Sequence, residues 1–520
     1  MHNDPLTPWP LKRSAALFAV CLVLFIAMAY GGIRTPDGEI VFRVGESLAR
    51  QGSFAIDAPL ATWEPFAVLK GKDNRLYGVF APTQSILLAP LIKAGLAANR
   101  SHWYKSAPFP IPVSFCVGAR SLKQYVFGMP PDHPEQHALR FIASFFTPMA
   151  AGLMIVLFFL IVRQTALSSA AGFLTALVLA LATPVWHYAG TMFKEPLTMV
   201  FVLWAFFCLV KNDPVLTLTR PALRRVFSAG LLSGLALTTH LTAALFAPFW
   251  GLYALFPYLR ADAPKRNAGP VNAALAFAAG FLIPAVLFGF YNYHRFGSVL
   301  TTGRASQDIA YGTFAMPWEG LAGLLASPGK GIIFFCPVII AGILLWPYLH
   351  RKHRHLSILL IAMMLFRLVF IACRSDWHGG FCLGPRQLLP VVPFLLIPIG
   401  LHFAEKGRRI LDRPWQRLTA TGLFFLAACQ QLYFCLGEPI SFYYILKAQY
   451  LVQGIHIIAS NAVYFRWQTS PLLHLLDARR GPFLLQSVPL TNLQLFGLLA
   501  VILLGLTTAV SFCLSKAGRP

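Results

Sequence analysis

Residues 138–162 read ALRFIASFFTPMAAGLMIVLFFLIV, and this stretch decides the class of fold. After Arg140 the chain runs to Val162 without a charged side chain. A transmembrane helix needs about 20 consecutive, mostly apolar residues, whereas a surface helix of a soluble protein alternates apolar and polar faces. The stretch therefore predicts a helix that spans a membrane.

The rest of the chain has the same character, because similar apolar runs recur along its 520 residues. Hydrophobic residues make up 57% and charged residues 12%, whereas a soluble domain carries about 25% charged residues. The mean hydropathy is +0.62. We predict an all-α integral membrane protein with about twelve transmembrane helices. The predicted spans are 14–30, 138–162, 168–184, 195–210, 226–239, 241–258, 271–291, 332–348, 356–372, 387–403, 418–435 and 491–514. The fifth and sixth are short and could be one broken helix.

The net charge of +24 follows a topological pattern. Strict alternation from an inner N-terminus places these short loops inside: 1–13, 163–167, 211–225, 259–270, 349–355, 404–417 and 515–520. They hold 20 of the 43 basic residues, as expected because Lys and Arg are retained on the cytoplasmic side. The charge therefore indicates orientation, and a nucleic-acid partner is not needed to explain it. The large outer loops are 31–137 and 436–490, with a medium one at 292–331.

The predicted organisation has three parts. Residues 1–435 form a transmembrane module that includes outer loop 31–137 and carries the candidate site residues considered below. Residues 436–490 form an outer loop of unknown role, and 491–520 form the last transmembrane helix and an inner tail. Apolar spacing predicts helices lying on the membrane at 39–50 and 81–97. The first apolar stretch is either a retained helix, which we favour, or a cleaved signal peptide, since Ala27-Met28-Ala29 fits a cleavage site.

An acidic pair, Asp37 and Glu39, follows the first predicted span at the outer surface. A carboxylate there can act as a general base on a bound hydroxyl. Alternatively Asp37 caps the helix that follows, whose first turn favours negative charge. We favour Asp37 over Glu39 as the base, because a residue between Pro36 and Gly38 is expected in a turn.

The outer loop before the fourth span carries His187, Lys194 and Glu195. An ionisable residue at the end of a membrane helix suggests a functional site. The alternative is structural: Lys194 extends toward the interface, and Glu195 begins a helix with Pro196.

A second polar loop, residues 373–386, contains Arg374, Asp376, His378 and Arg386. A guanidinium at the start of an apolar helix suits a lipid phosphate, which it can bind through two parallel hydrogen bonds. The alternative is a tight loop with an arginine that extends outward. Cys373 and Cys382 share this loop, and their spacing leaves a disulfide open. Two further cationic candidates are Arg304, in the outer loop 292–331, and His240, which could equally be a structural histidine.

The sequence lacks the patterns of several other sites. It has no glycine-rich nucleotide loop, no GxSxG motif and no His/Cys spacing typical of zinc. We predict no cofactor, and a divalent metal is possible but not predicted.

The order of short motifs resembles that of the polytopic GT-C glycosyltransferases that use polyprenyl-phosphate sugars, the protein O-mannosyltransferase and lipid A aminoarabinose transferase group. Residues 37–54 resemble the acidic motif and juxtamembrane helix of that family, and residues 77–90 resemble its next segment. Glu195-Pro-Leu resembles the start of its fourth helix. Residues 234–248 resemble a segment that usually has Lys or Arg where His240 stands. Residues 327–331 and 384–390 resemble motifs of bacterial relatives.

The resemblance implies a membrane glycosyltransferase, hexosyl- or pentosyl-, that transfers a sugar with inversion to a lipid, glycan or protein acceptor. It implies a multi-pass protein of the bacterial inner membrane whose active site faces the periplasm. The alternatives are a transporter or flippase of a lipid-linked sugar, and a surface-glycan polymerase or ligase. The expected catalytic residues are Asp37, Glu39 and Glu195. The expected donor-phosphate ligands are Arg386, Lys194, Arg304, Arg374 and His240. His187, Asp376 and His378 are expected to contribute to the acceptor side.

Overall fold

The computed structural model describes residues 11–56, 67–105, 134–210, 220–256, 269–303, 313–453, 461–478 and 480–517. The described part is mainly helical. Its α-helices are α1 (Leu11–Ala27), α2 (Pro36–Gln51), α3 (Thr83–Asn99), α4 (Pro134–Ser144), α5 (Phe146–Ala166), α6 (Ser169–Leu181), α7 (Val185–Ala189), α8 (Glu195–Val210), α9 (Arg220–Leu237), α10 (Ala247–Leu255), α11 (Gly269–Phe296), α12 (Pro317–Ala326), α13 (Ile332–Phe335), α14 (Val338–Leu344), α15 (Trp346–Lys352), α16 (Arg354–Ala372), α17 (Val392–Asp412), α18 (Pro414–Leu436), α19 (Pro439–Val452), α20 (Pro471–His474) and α21 (Asn492–Ala517).

Short 3-10 helices and one hairpin complete the described elements. The 3-10 helices are Trp103–Lys105, Leu241–Phe246, Arg386–Val391, Asn461–Phe465, Trp467–Thr469, Leu475–Asp477 and Phe483–Leu485. The two strands, β1 (Val68–Lys70) and β2 (Leu76–Gly78), pair antiparallel with Leu69 opposite Tyr77.

Five helical stretches in the described part are long and apolar enough to cross a membrane. They are Pro134–Ala166, Gly269–Phe296, Arg354–Ala372, Arg386–Gly407 and Pro414–Leu436. Shorter apolar helices lie at Ser169–Leu181, Glu195–Val210, Leu241–Leu255 and Asn492–Thr508. The protein is thus a multi-pass membrane protein by the length and composition of its helices. The predicted count of about twelve spans remains a prediction.

Small residues let the helices approach closely. α9 and α11 cross where Gly230 and Gly280 each face the backbone of the other helix. A Cβ at Gly230 would lie 2.1 Å from the carbonyl oxygen of Phe277, and one at Gly280 would lie 2.1 Å from that of Phe227. In lipid the hydrophobic effect does not drive helices together, and their association depends on close packing of the backbones. This accounts for glycine at both positions.

The first polar loop folds into a small helical layer of its own. α2 and α3 pack together and bury Ile40, Val44, Leu88 and Ile92 in a cluster distinct from the main core. Complete burial of each such side chain contributes roughly 1.5–3 kcal/mol. The predicted helices at 39–50 and 81–97 are confirmed as helices. α2 is more enclosed than a surface helix, because the charged residue Glu39 is also fully buried.

One helix prediction needs correction. The predicted span 332–348 is three short helices, because Pro337 and Pro347 cannot donate backbone hydrogen bonds and interrupt the ladder. The spans predicted at 226–239 and 241–258 are separate in the described residues, because α9 ends at Leu237 and the next segment starts with the 3-10 helix Leu241–Phe246.

Candidate functional site

The candidate site begins where α2 starts. Thr35 is the N-cap, and its side-chain oxygen accepts a hydrogen bond from the backbone N–H of Gly38. Pro36 occupies the first turn, where its missing N–H is not needed. Asp37 therefore lies within the first helical turn, and both the turn and the capping role expected for it are wrong. Its carboxylate is free of capping and lies beside another charged group.

That group is Arg386, which lies between two carboxylates from distant parts of the chain. Its Nη1 is 3.5 Å from Oδ2 of Asp37, and its Nε is 3.3 Å from Oε1 of Glu195. The three side chains are 15%, 18% and 6% exposed, so the cluster is largely withdrawn from water. Arg386 begins a 3-10 helix that leads into α17, and Glu195 is the first residue of α8. The starts of three helical elements thus converge on one guanidinium.

Aromatic rings and a second cation border the cluster. The guanidinium of Arg386 lies 4.3 Å from the ring centre of Phe193. The adjacent Lys194 is buried, with its Nζ 3.5 Å from the ring centre of Phe80. Cations held over aromatic faces are stabilised by the ring quadrupole, and more strongly so where water is excluded. The chain therefore places two positive charges, on Lys194 and Arg386, against aromatic rings.

Glu39 lies in a separate buried network. Both of its carboxylate oxygens accept hydrogen bonds from Arg140, at 2.6 and 3.0 Å, and Oε1 also accepts one from Arg43 at 2.9 Å. The side chains of Glu39 and Arg140 are both 0% exposed. Burial alone would raise the pKa of Glu39, but Arg140 and Arg43 outweigh it and lower the pKa to about 2. Glu39 is thus held ionised and fully bonded.

The loop before Arg386 is internally bonded. Arg374 and Asp376 form a bidentate pair at 2.7 and 2.8 Å, and the Asp376 carbonyl oxygen accepts a hydrogen bond from Gln387. His378 stacks on Tyr464 with ring centres 4.7 Å apart, and burial lowers its pKa to about 3. These three candidates support the loop rather than contact Asp37 directly. Cys373 and Cys382 are free thiols, so the possible disulfide is absent.

Both other histidine candidates have structural partners. His187 is buried in α7 and donates from Nδ1 to the carbonyl oxygen of Phe434 at 3.1 Å. Burial lowers its pKa to about 4, although that hydrogen bond acts in the opposite direction. His240 precedes the 3-10 helix Leu241–Phe246, and its Nδ1 lies 2.8 Å from Oγ1 of Thr242. Arg304 lies outside the described residues.

Sequence reasoning missed three buried cations near the site. Arg140 binds Glu39, and Lys330 donates to carbonyl oxygens of the loop before Arg386. Arg367, inside the apolar helix α16, donates to the carbonyl oxygens of Gln387 and Thr242. The signal for Arg367 was present, because a lone arginine inside a membrane helix indicates a functional or structural polar contact. Nothing in the sequence marked the partner of Arg140.

The polar side chains around the site are cations and carboxylates. Across the described ranges, no group of three or more His, Cys, Asp or Glu side chains is placed to hold a metal ion. The oxygen Oε2 of Glu195 is buried and has no hydrogen-bond partner among the described residues. A buried carboxylate oxygen of this kind is available to a hydroxyl or another donor of a bound molecule.

Comparison with known proteins finds similarity at the level of structure. No sequence-family profile and no curated protein sequence matches the chain. ArnT from Cupriavidus metallidurans bound to undecaprenyl phosphate is 14% identical, with a TM-score of 0.46 over 96% of this chain and 78% of that chain. Its apo state gives 14% and 0.47 over 96% and 77%. The oligosaccharyltransferase AglB from Archaeoglobus fulgidus, in complex with an inhibitory peptide and a dolichol-phosphate, gives 11% and 0.46 over 88% and 60%. These proteins are GT-C superfamily glycosyltransferases.

Proposed function

We propose that this chain is a membrane glycosyltransferase that moves a sugar from a polyprenyl-phosphate carrier to a hydroxyl of an acceptor at the outer face of the membrane. The observation that carries the proposal is the placement of Arg386 between Asp37 and Glu195, next to apolar helices. The reaction needs a base for the acceptor, a cation for the leaving phosphate and an apolar surface for the lipid. The cluster supports the proposal because it brings two carboxylates, one guanidinium and the ring of Phe193 together.

Arg386 is assigned to the phosphate of the donor. Charge-assisted hydrogen bonds between Arg and carboxylate are typically about 2.7–2.9 Å long. The contacts of Arg386 are longer, at 3.3 and 3.5 Å, whereas those of the buried Arg140–Glu39 pair are 2.6 and 3.0 Å. Arg386 is therefore not fully engaged by Asp37 and Glu195. Its planar guanidinium retains donors for a phosphate, and Lys194 adds a second positive charge close by.

Asp37 is assigned as the general base. It is the more exposed of the two carboxylates at Arg386, and the cap at Thr35 leaves its oxygens available. In the proposed step the acceptor hydroxyl transfers its proton to Asp37 while its oxygen forms a bond to the anomeric carbon. The bond from that carbon to the phosphate oxygen breaks, and polyprenyl phosphate leaves with the electron pair. A single displacement of this kind inverts the anomeric configuration.

We assign different roles to the other two acidic residues, Glu195 and Glu39. Glu195 holds Arg386 through Oε1 and keeps Oε2 for a hydroxyl of the donor sugar. Glu39, with all its contacts made to Arg140 and Arg43, positions the first turn of α2 and hence Asp37. We propose it as a positioning residue rather than as the base.

The proposal is tested by donor turnover. The purified protein is incubated with a polyprenyl-monophosphate sugar or a polyprenyl-diphosphate sugar, and the released lipid is identified by mass spectrometry. We expect release of polyprenyl monophosphate that depends on an acceptor. Release of diphosphate alone would indicate a surface-glycan polymerase or ligase. Movement of an intact lipid-linked sugar across a vesicle membrane, without cleavage, would indicate a flippase and overturn the proposal.

A further inference from the structure

Lys330 is a buried lysine that the proposed reaction does not use. It lies in the turn between α12 and α13 and is 0% exposed. Its Nζ donates to the carbonyl oxygens of Gly380 and Cys382, at 2.8 and 2.6 Å, and lies 3.4 Å from Sγ of Cys382. Among the described residues no carboxylate lies within ion-pair distance of it. Burial of a charge without a counterion is unfavourable, so its hydrogen bonds to this one loop must offset a large desolvation cost.

The loop that Lys330 holds leads directly to Arg386. Gly379 and Gly380 have positive φ values of 71° and 79°, a conformation that glycine adopts freely and other residues rarely do. The loop has internal hydrogen bonds, from Gly379 to Asp376 and from Cys382 to Gly380, and further contacts reach it from outside. Lys330 supplies two of these contacts, and the hydroxyl of Tyr188 donates a third to the carbonyl oxygen of Leu383 at 2.6 Å.

The segment after α18, whose role the sequence left unknown, completes the enclosure of Lys330. The ring centres of Tyr443 and Tyr464 lie 5.0 and 5.1 Å from Nζ, within the range of cation–π attraction. Both rings also stack on the held loop, Tyr443 on Phe381 at 5.5 Å and Tyr464 on His378 at 4.7 Å. The two tyrosines therefore contact the lysine and the loop at the same time.

We propose that Lys330, Tyr443 and Tyr464 form a clamp that fixes loop 379–385 and so aims Arg386 at the phosphate of the donor. Lys330 is a positioning residue, since it acts through Arg386. The expected effect of Lys330 on sugar transfer rests on the proposed function. The clamp itself is a property of the loop and can be measured without turnover.

The first test measures the loop directly. Lys330→Met removes the donors and the charge but keeps the length of the side chain. Hydrogen–deuterium exchange of the purified protein should become faster in peptides covering 379–385 and stay unchanged in α5 and α8. Lys352→Met, which removes a partly exposed lysine paired with Glu405, is the matched control and should leave exchange in the loop unchanged. Unchanged loop exchange in Lys330→Met, or faster exchange throughout the protein, would overturn the clamp.

The second test measures the effect on Arg386. A displacement of about 1 Å at a site can lower the rate about 10²-fold, so Lys330→Met should lower kcat/KM for the donor by up to that factor. In an Arg386→Met background the same substitution should change kcat/KM less than about twofold, because the two residues act as one unit. Equal losses in both backgrounds would show a role independent of Arg386 and contradict the proposal.

A second pair of variants covers the case in which Lys330→Met does not fold. Tyr464→Phe keeps the ring against Lys330 and His378 and should change loop exchange and donor KM less than Tyr464→Leu does. Tyr464→Leu removes the ring and should speed exchange in the loop and raise donor KM. Identical behaviour of the two variants would overturn the clamp. If the wild-type protein shows no transfer at all, the proposed function fails while the exchange results still decide the clamp.

Discussion

The buried pair of Glu39 and Arg140 offers a quantitative test of how the first turn of α2 is held. Glu39→Leu leaves Arg140, which is 0% exposed, without its counterion and also removes the partner of Arg43. Loss of one member of a buried ion pair typically costs about 3–5 kcal/mol. Arg140→Met should cost less, because Arg43 remains 2.9 Å from Oε1 of Glu39. The double variant, with apolar groups at both positions, should be more stable than Glu39→Leu.

The lowered pKa of Glu39 predicts how the stability of the protein depends on pH. Arg140 and Arg43 lower this pKa from 4.5 to about 2. That difference corresponds to about 3 kcal/mol of preference for the ionised carboxylate in the folded state. Because the folded-state pKa is the lower one, this stability is fully present above about pH 4.5. It is lost as the pH falls toward about 2.

The assay is reversible unfolding in mixed micelles with a rising fraction of denaturing detergent, at pH 7 and at steps down to pH 3. Glu39→Leu should be the least stable variant at pH 7 and should lose less stability than the wild type on acidification. If the free energy of unfolding of Glu39→Leu were within about 1 kcal/mol of the wild-type value, the reasoning would be refuted, because an exposed ion pair contributes no more than that. A double variant less stable than both single variants would refute it equally.

Three further predictions concern the site and the topology. Arg386→Met should lower kcat/KM by about 10²–10³-fold, as expected when a donor to a developing anion is lost. Arg50→Met, the surface control, should leave kcat/KM unchanged. A loss below tenfold in Arg386→Met would contradict the assignment of Arg386 to the donor phosphate. Burial lowers the pKa of His187 to about 4 and that of His378 to about 3, so both imidazoles are neutral between pH 5.5 and 8. His187→Gln and His378→Gln should therefore leave the inflections of the pH profile of kcat/KM unchanged over that range. Cysteines at positions 100 and 355 should react with a membrane-impermeant reagent from opposite sides of the membrane, and labelling from the same side would contradict the topology.

The sequence predicted the helical layout well where apolar runs were long. The length of a membrane-spanning run is set by the thickness of the bilayer, so such a run can be recognised from the sequence alone. The helices α8 and α18 accordingly lie close to their predicted bounds. It failed where proline broke a run, as at Pro337, and where the cap was a threonine two residues before the expected aspartate. Thr35 and Asp37 are both good caps, and only the backbone geometry decides between them.

The site itself was predicted in part. Placement of polar residues at one set of helix ends, together with the motif resemblance, singled out Asp37, Glu195 and Arg386, which the structure brings into contact. Their roles remain predictions. The pairing of Glu39 with Arg140 could not be predicted, because it joins residues 101 positions apart on α2 and α4, two helices that both pack against α3. The same applies to Lys330, whose partners Gly380, Cys382, Tyr443 and Tyr464 lie 50 or more positions away in the sequence.

The most direct test of the account is the activity of Asp37→Asn with a polyprenyl-monophosphate sugar as donor. A general base contributes about 10²–10⁴-fold to the rate, so the variant should lose most of its turnover. It should remain monodisperse and bind polyprenyl phosphate with near-normal affinity, because Arg386 and Lys194 are intact. If Asp37→Asn keeps more than about a tenth of the wild-type rate, the loss is smaller than the low end of that range and Asp37 is not the base.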